Sequence, residues 1–171
     1  MVALLTAKSP AYADVAAQAD EIAERADGVR RSLVAAIDED AVAFDRVSLA
    51  YRMPKADGAQ KAQRSAAIQA ALSGASEPPL RVVEFAREIA ALAVTLVEFG
   101  NPNAISDLGC AALCAQAAAR GAGFNVTINA SALKDRASAD RLTQRLDAVL
   151  AQVGLLVEVV LGRVEVGMHV P

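Results

Sequence analysis

From residue 15 onward apolar side chains return every third or fourth position: Val15, Ala19, Ile22, Ala26, Val29, Leu33, Ile37, Ala41, Phe44 and Val47. That spacing puts one apolar face on a helix. Ser9-Pro10 supplies the start, an N-cap residue followed by proline in the first turn. Met53-Pro54 supplies the stop, because the residue before a proline is pushed out of the helical region. The pattern therefore predicts a helix over 10–52. Gly28 lies inside it at a cost of about 1 kcal/mol against alanine, which marks a kink or a close crossing. A polar loop over 54–58 leads to a second helix over 59–72 that carries the charge of Arg64 and the apolar Ile68 and Leu72. After a Gly/Ser/Pro break at 73–79, a third helix spans 79–99. It turns Leu80, Val83, Ile89, Leu92, Ala93 and Leu96 inward, and Gly100 ends it.

The turn-rich stretch 101–107 opens a fourth helix that persists to about residue 129. Its side chains are small: Gly109, Ala111, Ala112, Ala115, Ala117, Ala118, Ala119, Gly121 and Gly123. Interaxial distance falls with the size of the contact residues, so this helix is expected at the centre of the bundle or of a dimer. A short connection over 131–135 precedes a last helix over 138–164, with the stripe Leu142, Leu146, Val149, Val153, Leu156 and Val160. No segment shows strand alternation of useful length, and only the Val/Leu-rich stretch 155–166 is ambiguous. The expected fold class is all-α, a bundle of about five helices, two of them long, forming one domain over 1–171.

Composition agrees. The 171 residues include 40 alanines and are 54% apolar, yet only 4% are aromatic and none is tryptophan. Alanine is the best helix former and a poor strand former. The balance of 17 basic against 20 acidic residues gives a net charge of −3, which offers nucleic acid no basic face. No stretch nears the roughly 20 uncharged apolar residues of a membrane span, and the first residues lack the basic and cleavage regions of a secretory signal. A soluble, cytoplasmic protein is the expectation. Cys110 and Cys114 read as free, buried thiols in a reducing compartment. With His169 the only histidine, a metal site lacks ligands.

The loop after Gly100 carries the densest polar chemistry. Asn101, Asn103, Ser106 and Asp107 gather at a helix start, where free N–H groups and the helix dipole favour an anion; capping by Ser106 or Asp107 is the ordinary alternative. Four stretches of the chain resemble the cyclodeaminase/cyclohydrolase family of folate one-carbon enzymes, which includes the C-terminal domain of formiminotransferase-cyclodeaminase. They are DEDAVAFDRVSLAYRMPK at 38–55, IQAALSGASEPPL at 68–80, FGNPNAISDLG at 99–109 and RGAGFNVTINASALKD at 120–135. Their order and spacing follow the family's and span essentially the whole chain.

The resemblance implies an all-helical, homodimeric enzyme acting on tetrahydrofolate that carries a one-carbon unit. One family reaction converts 5-formiminotetrahydrofolate to 5,10-methenyltetrahydrofolate and ammonia. The other hydrolyses 5,10-methenyltetrahydrofolate reversibly to 10-formyltetrahydrofolate. Both pass through a tetrahedral carbon between N5 and N10, so one pocket can serve either. The cyclodeaminase is the first reading, the cyclohydrolase the alternative, and a non-catalytic folate-binding or dimeric helical module a further alternative. No cofactor beyond the tetrahydrofolate substrate is expected, since neither reaction moves electrons.

By the same resemblance Asp107, at the end of the N-x-x-S-D motif, is the candidate acid/base. One carboxyl group that changes protonation state can take a proton and return it to the leaving nitrogen. Lys55 is its candidate catalytic partner, polarising the one-carbon unit or meeting a carboxylate of the folate tail. Asp40, Tyr51, Asn101, Asn103, Ser106, Asn125 and Asn129 are candidates to hold the pterin. Lys134, with Arg136 beside it, is a candidate for a polyglutamate tail. Phe44 reads as a packing residue. The resemblance departs at the N-terminus. Relatives begin with an extra helix and a Pro/Gly-rich stretch ahead of the residues that match 1–6, and carry a basic run where this chain has only Lys8 before Tyr12.

Overall fold

A computed structural model of the chain describes residues 1–168; the histidine at position 169 lies outside them. Six α-helices make up the described residues, with no strand among them. They are α1 (Val2–Ala7), α2 (Ala16–Arg52), α3 (Gly58–Ala75), α4 (Glu77–Val97), α5 (Ile105–Ser131) and α6 (Arg136–Met168). A kinked 3₁₀ segment at Pro10–Val15 and a single 3₁₀ turn at Pro102–Ala104 lead into α2 and α5. No helix among the described residues is long and apolar enough to cross a membrane.

Most predicted ends hold because they are set locally. α2 stops at Arg52, and Met53 is extended at φ −58, ψ 148 as Pro54 requires. Asp57 caps α3 by accepting from Gln60 N. The break expected at 73–79 shrinks to Ser76 alone, because Pro78 and Pro79 fall in the first turn of α4, where a missing N–H costs nothing. The ambiguous 155–166 stretch is helical throughout. The N-terminus differs more. Residues 2–7 form a helix of their own, Ser9 makes no side-chain cap, and a kink at Tyr12 (φ −121, ψ 27) divides the 3₁₀ segment that precedes α2.

α5 is the central helix, packed between α4 and α6, while α2 lies across α4 and carries α1 and α3 at its two ends. Gly109 and Gly123 let α6 approach: a Cβ there would stand 3.4 Å from Val164 and 3.3 Å from Leu146. Gly28 serves no crossing, for a Cβ there would meet nothing within 4 Å and α2 runs straight through it. The main core joins Leu80, Val83, Ala90 and Ala93 of α4 to Ala112, Ala119 and Val126 of α5 and Val153, Val157 and Val160 of α6. A smaller core gathers Ala50, Ile68, Leu72, Ala130, Leu133 and Ala139 where α2, α3 and α5 end.

Two further expectations are corrected by packing. Along α2 the buried line is Ile22, Val29, Ala36, Ala43 and Ala50, a strict repeat of seven. Ile37 and Phe44, on the parallel stripe, are 68% and 67% exposed. The small alanines face α4 and α3 closely, and the larger residues, Phe44 included, are left outside. Cys110 and Cys114 are free but exposed, on the flank of α5 turned away from Ala112 and Ala115.

Candidate functional site

Asp107 reaches its place through a tightly determined connection. The Gly100 N–H donates to Leu96 O at 2.7 Å, and a Cβ on Gly100 would lie 2.6 Å from that same oxygen, so only glycine fits. Asn101 Oδ1 accepts from Asn103 N at 3.0 Å, and Asn101 O accepts from Ala104 N, closing the turn over Pro102. α5 then begins, and Asp107 stands half-buried in its first turn, where a negative side chain suits the helix dipole.

Asp107 lines an open cavity of about 540 Å³ bordered by α1, α2, α4 and α5. Val2, Ile22, Ala26, Leu92, Leu96 and Leu108 make its walls apolar, and the two cysteines lie on its α5 side. A volume of this order, apolar with few polar groups, is what a small-molecule site requires. Its other charged residues are Asp27 and Arg30. Arg30 Nε donates to Asp27 Oδ1 at 2.8 Å, and Arg31 pairs with the other oxygen. The Arg30 hydrogen bond, with the two guanidinium charges, holds the Asp27 carboxyl below its ordinary value. Sequence reading passed over Asp27 and Arg30; the visible signal was an acid with arginines three and four positions on, a helical pairing distance.

The remaining candidates do not gather around Asp107. Asn101 and Asn103 shape the turn before it, and Ser106 is exposed beside it. Asp40 and Asn125 lie elsewhere, both lining a cleft of about 250 Å³ with Leu33, Ile37, Pro78 and Pro79. Asn125 is about 27 Å along α5 from Asp107. Tyr51, half exposed, accepts through its carbonyl oxygen from Arg64, whose guanidinium lies 5.6 Å from the ring centre. Asn129 Nδ2 donates to Ala75 O at 2.8 Å, and Lys134 Nζ donates to Ser65 Oγ at 2.6 Å. Lys55 is exposed in the α2–α3 loop. The end of α2 before it stands about 38 Å along the axis from Asp27. The structure thus separates Lys55 from Asp107, because one helix of 37 residues lies between their ends of the bundle.

Among the described residues no three His, Cys, Asp or Glu side chains converge as a metal site.

Comparison with known proteins follows the same outline. The sequence profile of the formiminotransferase-cyclodeaminase family matches residues 1–148. The chain is 42% identical over 158 residues to a methenyltetrahydrofolate cyclohydrolase of Methylorubrum extorquens, covering 92% of this chain and 76% of that protein. It is 29% identical over 133 residues to the formimidoyltransferase-cyclodeaminase of Rattus norvegicus, covering 78% of this chain but a quarter of that longer protein (25%). The crystal structure of a formiminotetrahydrofolate cyclodeaminase from Thermotoga maritima superposes with a TM-score of 0.85 at 28% identity, over 96% of this chain and 78% of that one. With its profile matched over most of its length and its helices in the same arrangement, the chain belongs to the formiminotransferase-cyclodeaminase family.

Proposed function

We propose that this chain hydrolyses 5,10-methenyltetrahydrofolate to 10-formyltetrahydrofolate. The observation that carries this choice over the cyclodeaminase is the 42% identity to a methenyltetrahydrofolate cyclohydrolase across 92% of the chain. The motifs are common to both reactions, and the sequence reading leans to deamination; the longer match supports hydrolysis instead.

Asp107 in the 540 Å³ cavity is suited to the chemistry. Water attacks the methenyl carbon, and the Asp107 carboxylate takes its proton. The resulting tetrahedral carbon collapses, its hydroxyl becoming the formyl carbonyl as the bond to N5 breaks. Asp107 returns its proton to N5, and the hydroxyl proton leaves to solvent, discharging the substrate's positive charge. The apolar walls hold the folded ring system and limit competing water. Arg30, beside the cavity with one face already engaged by Asp27, retains further N–H donors for a carboxylate of the folate tail, one residue of glutamate or several. No cofactor beyond the folate enters this scheme.

The reading includes a second copy of the chain. Leu113, Phe124 and Ile128 of α5 are 49%, 70% and 63% exposed, with Ala117 and Gly121 between them also exposed. That face, apolar but for the exposed Arg120 within it, is the uncovered side of the most central helix. Two such faces meeting antiparallel about a twofold axis near Ala117 would set Asp107 opposite Ile128 of the partner subunit. Asp40, Asn125 and the α2–α3 loop of one chain would then lie nearer the Asp107 of the other.

The test is direct. Decay of methenyl absorbance in 5,10-methenyltetrahydrofolate, against the uncatalysed rate, is expected to accelerate, whereas 5-formiminotetrahydrofolate should release no ammonia. Ammonia release with formation of methenyl product would establish the cyclodeaminase instead. Binding of folate without turnover of either substrate would make the chain a binding module.

A further inference from the structure

Thr6 is the one wholly buried hydroxyl on α1, 0% exposed, and it bonds in both directions. Its Oγ1 donates to Val2 O at 3.0 Å inside α1, and the same oxygen accepts from Asn101 N at 3.0 Å across 95 positions of sequence. Asn101 is the residue whose side chain and carbonyl build the turn over Pro102, and that turn passes without a loop into the first turn of α5. α1 also supplies Val2 and Leu4 to the cavity wall. One hydroxyl therefore joins a wall of the cavity to the base of the turn that delivers Asp107.

We propose that Thr6 is a positioning residue for the reaction at Asp107, holding the α4–α5 connection in the register that points the carboxylate into the cavity. This deepens the cyclohydrolase reading and rests on it. A hydroxyl has one proton to give and lone pairs to receive, and both capacities are used here. Without it, the Asn101 N–H loses its acceptor and α1 loses its tie to the connection, while the helices themselves keep their own hydrogen bonds. A displacement of about 1 Å at a reacting group costs on the order of 100-fold in rate, so a loosened connection should act on turnover before it acts on stability.

The comparison of Thr6→Ser with Thr6→Ala isolates the hydroxyl, because both lack the methyl and only serine keeps the bond. With the full chain and 5,10-methenyltetrahydrofolate, Thr6→Ala should lower kcat by about 10-fold or more, with KM within about twofold, and Thr6→Ser should recover most of the loss. Amide hydrogen exchange should rise in Thr6→Ala at Asn101 and through the following turn, with α4 and α6 unchanged. Equal kcat for the two variants overturns the proposal, as does a loss in Thr6→Ala that merely follows the fraction of folded protein. If Asp107→Asn leaves hydrolysis intact, the reading of the site itself has failed. If Asp107→Asn is inactive and Thr6→Ala is not, only the positioning role has.

Discussion

Asn129 Nδ2 donates to the main-chain carbonyl of Ala75 at 2.8 Å, tying the last turns of α5 to the last residue of α3. The amide is partly buried and spans two elements 54 positions apart. Its expected contribution is to stability: Asn129→Ala should cost about 1 kcal/mol or somewhat more, since the truncation also leaves an end carbonyl of α3 without its partner. Urea unfolding measures this. A raised KM with an unchanged midpoint would return Asn129 to the substrate.

For Asp107 the expectation is the reverse. Asp107→Asn keeps the shape and loses the proton carrier, so kcat should fall by about 100-fold or more. Helical circular dichroism and folate binding should stay near those of the parent. Parallel loss of fold and turnover would mean that the carboxylate serves the start of α5 instead.

Arg30→Gln removes a cation beside the cavity and keeps much of the side-chain length. The KM for a polyglutamylated substrate should rise more than for the monoglutamate, and its salt dependence should weaken, as loss of one charge contact requires. Equal KM changes for both substrates would place the tail elsewhere.

Leu113→Arg adds a second cation, one heptad from Arg120, to the exposed and otherwise apolar face of α5. Light scattering should shift from dimer to monomer with helicity retained, and turnover should drop along with assembly. A parent chain that already scatters as a monomer would refute the second copy.

Asp135 precedes α6 and accepts from Ser138 through both its hydroxyl and its N–H, at 2.6 and 3.3 Å. The Ser138 hydroxyl and then its backbone N–H hold the carboxyl below its ordinary value of 3.8. A depressed folded value means that this stabilisation is present above the unfolded pKa and disappears as pH falls through the lower folded one. Acid titration of the unfolding midpoint should therefore show a loss below about pH 4 that is reduced in Asp135→Asn.

The helices were legible because their signals are local. Pro54, Gly100 and the cap at Asp57 end or begin helices through the backbone of their own turn, and the α4 stripe was buried as its spacing required. α1 escaped notice because six residues carry too little periodicity to read. The sequence by itself also determined the family, since its motifs are combinations of residue types and survive without coordinates. Only the tertiary structure decided which of two apolar lines on α2 is covered, Ala36 and Ala43 rather than Ile37 and Phe44. That choice depends on how closely α4 and α3 approach, and a pattern of hydrophobicity carries no distance. The same limit governs the site. Motifs place Lys55 and Asp107 in one functional set, but rigid helices rising about 1.5 Å per residue hold them at opposite ends of one chain. Asp27 and Arg30 line the cavity around Asp107, and Thr6 holds the turn that leads to it, links that spacing alone did not make.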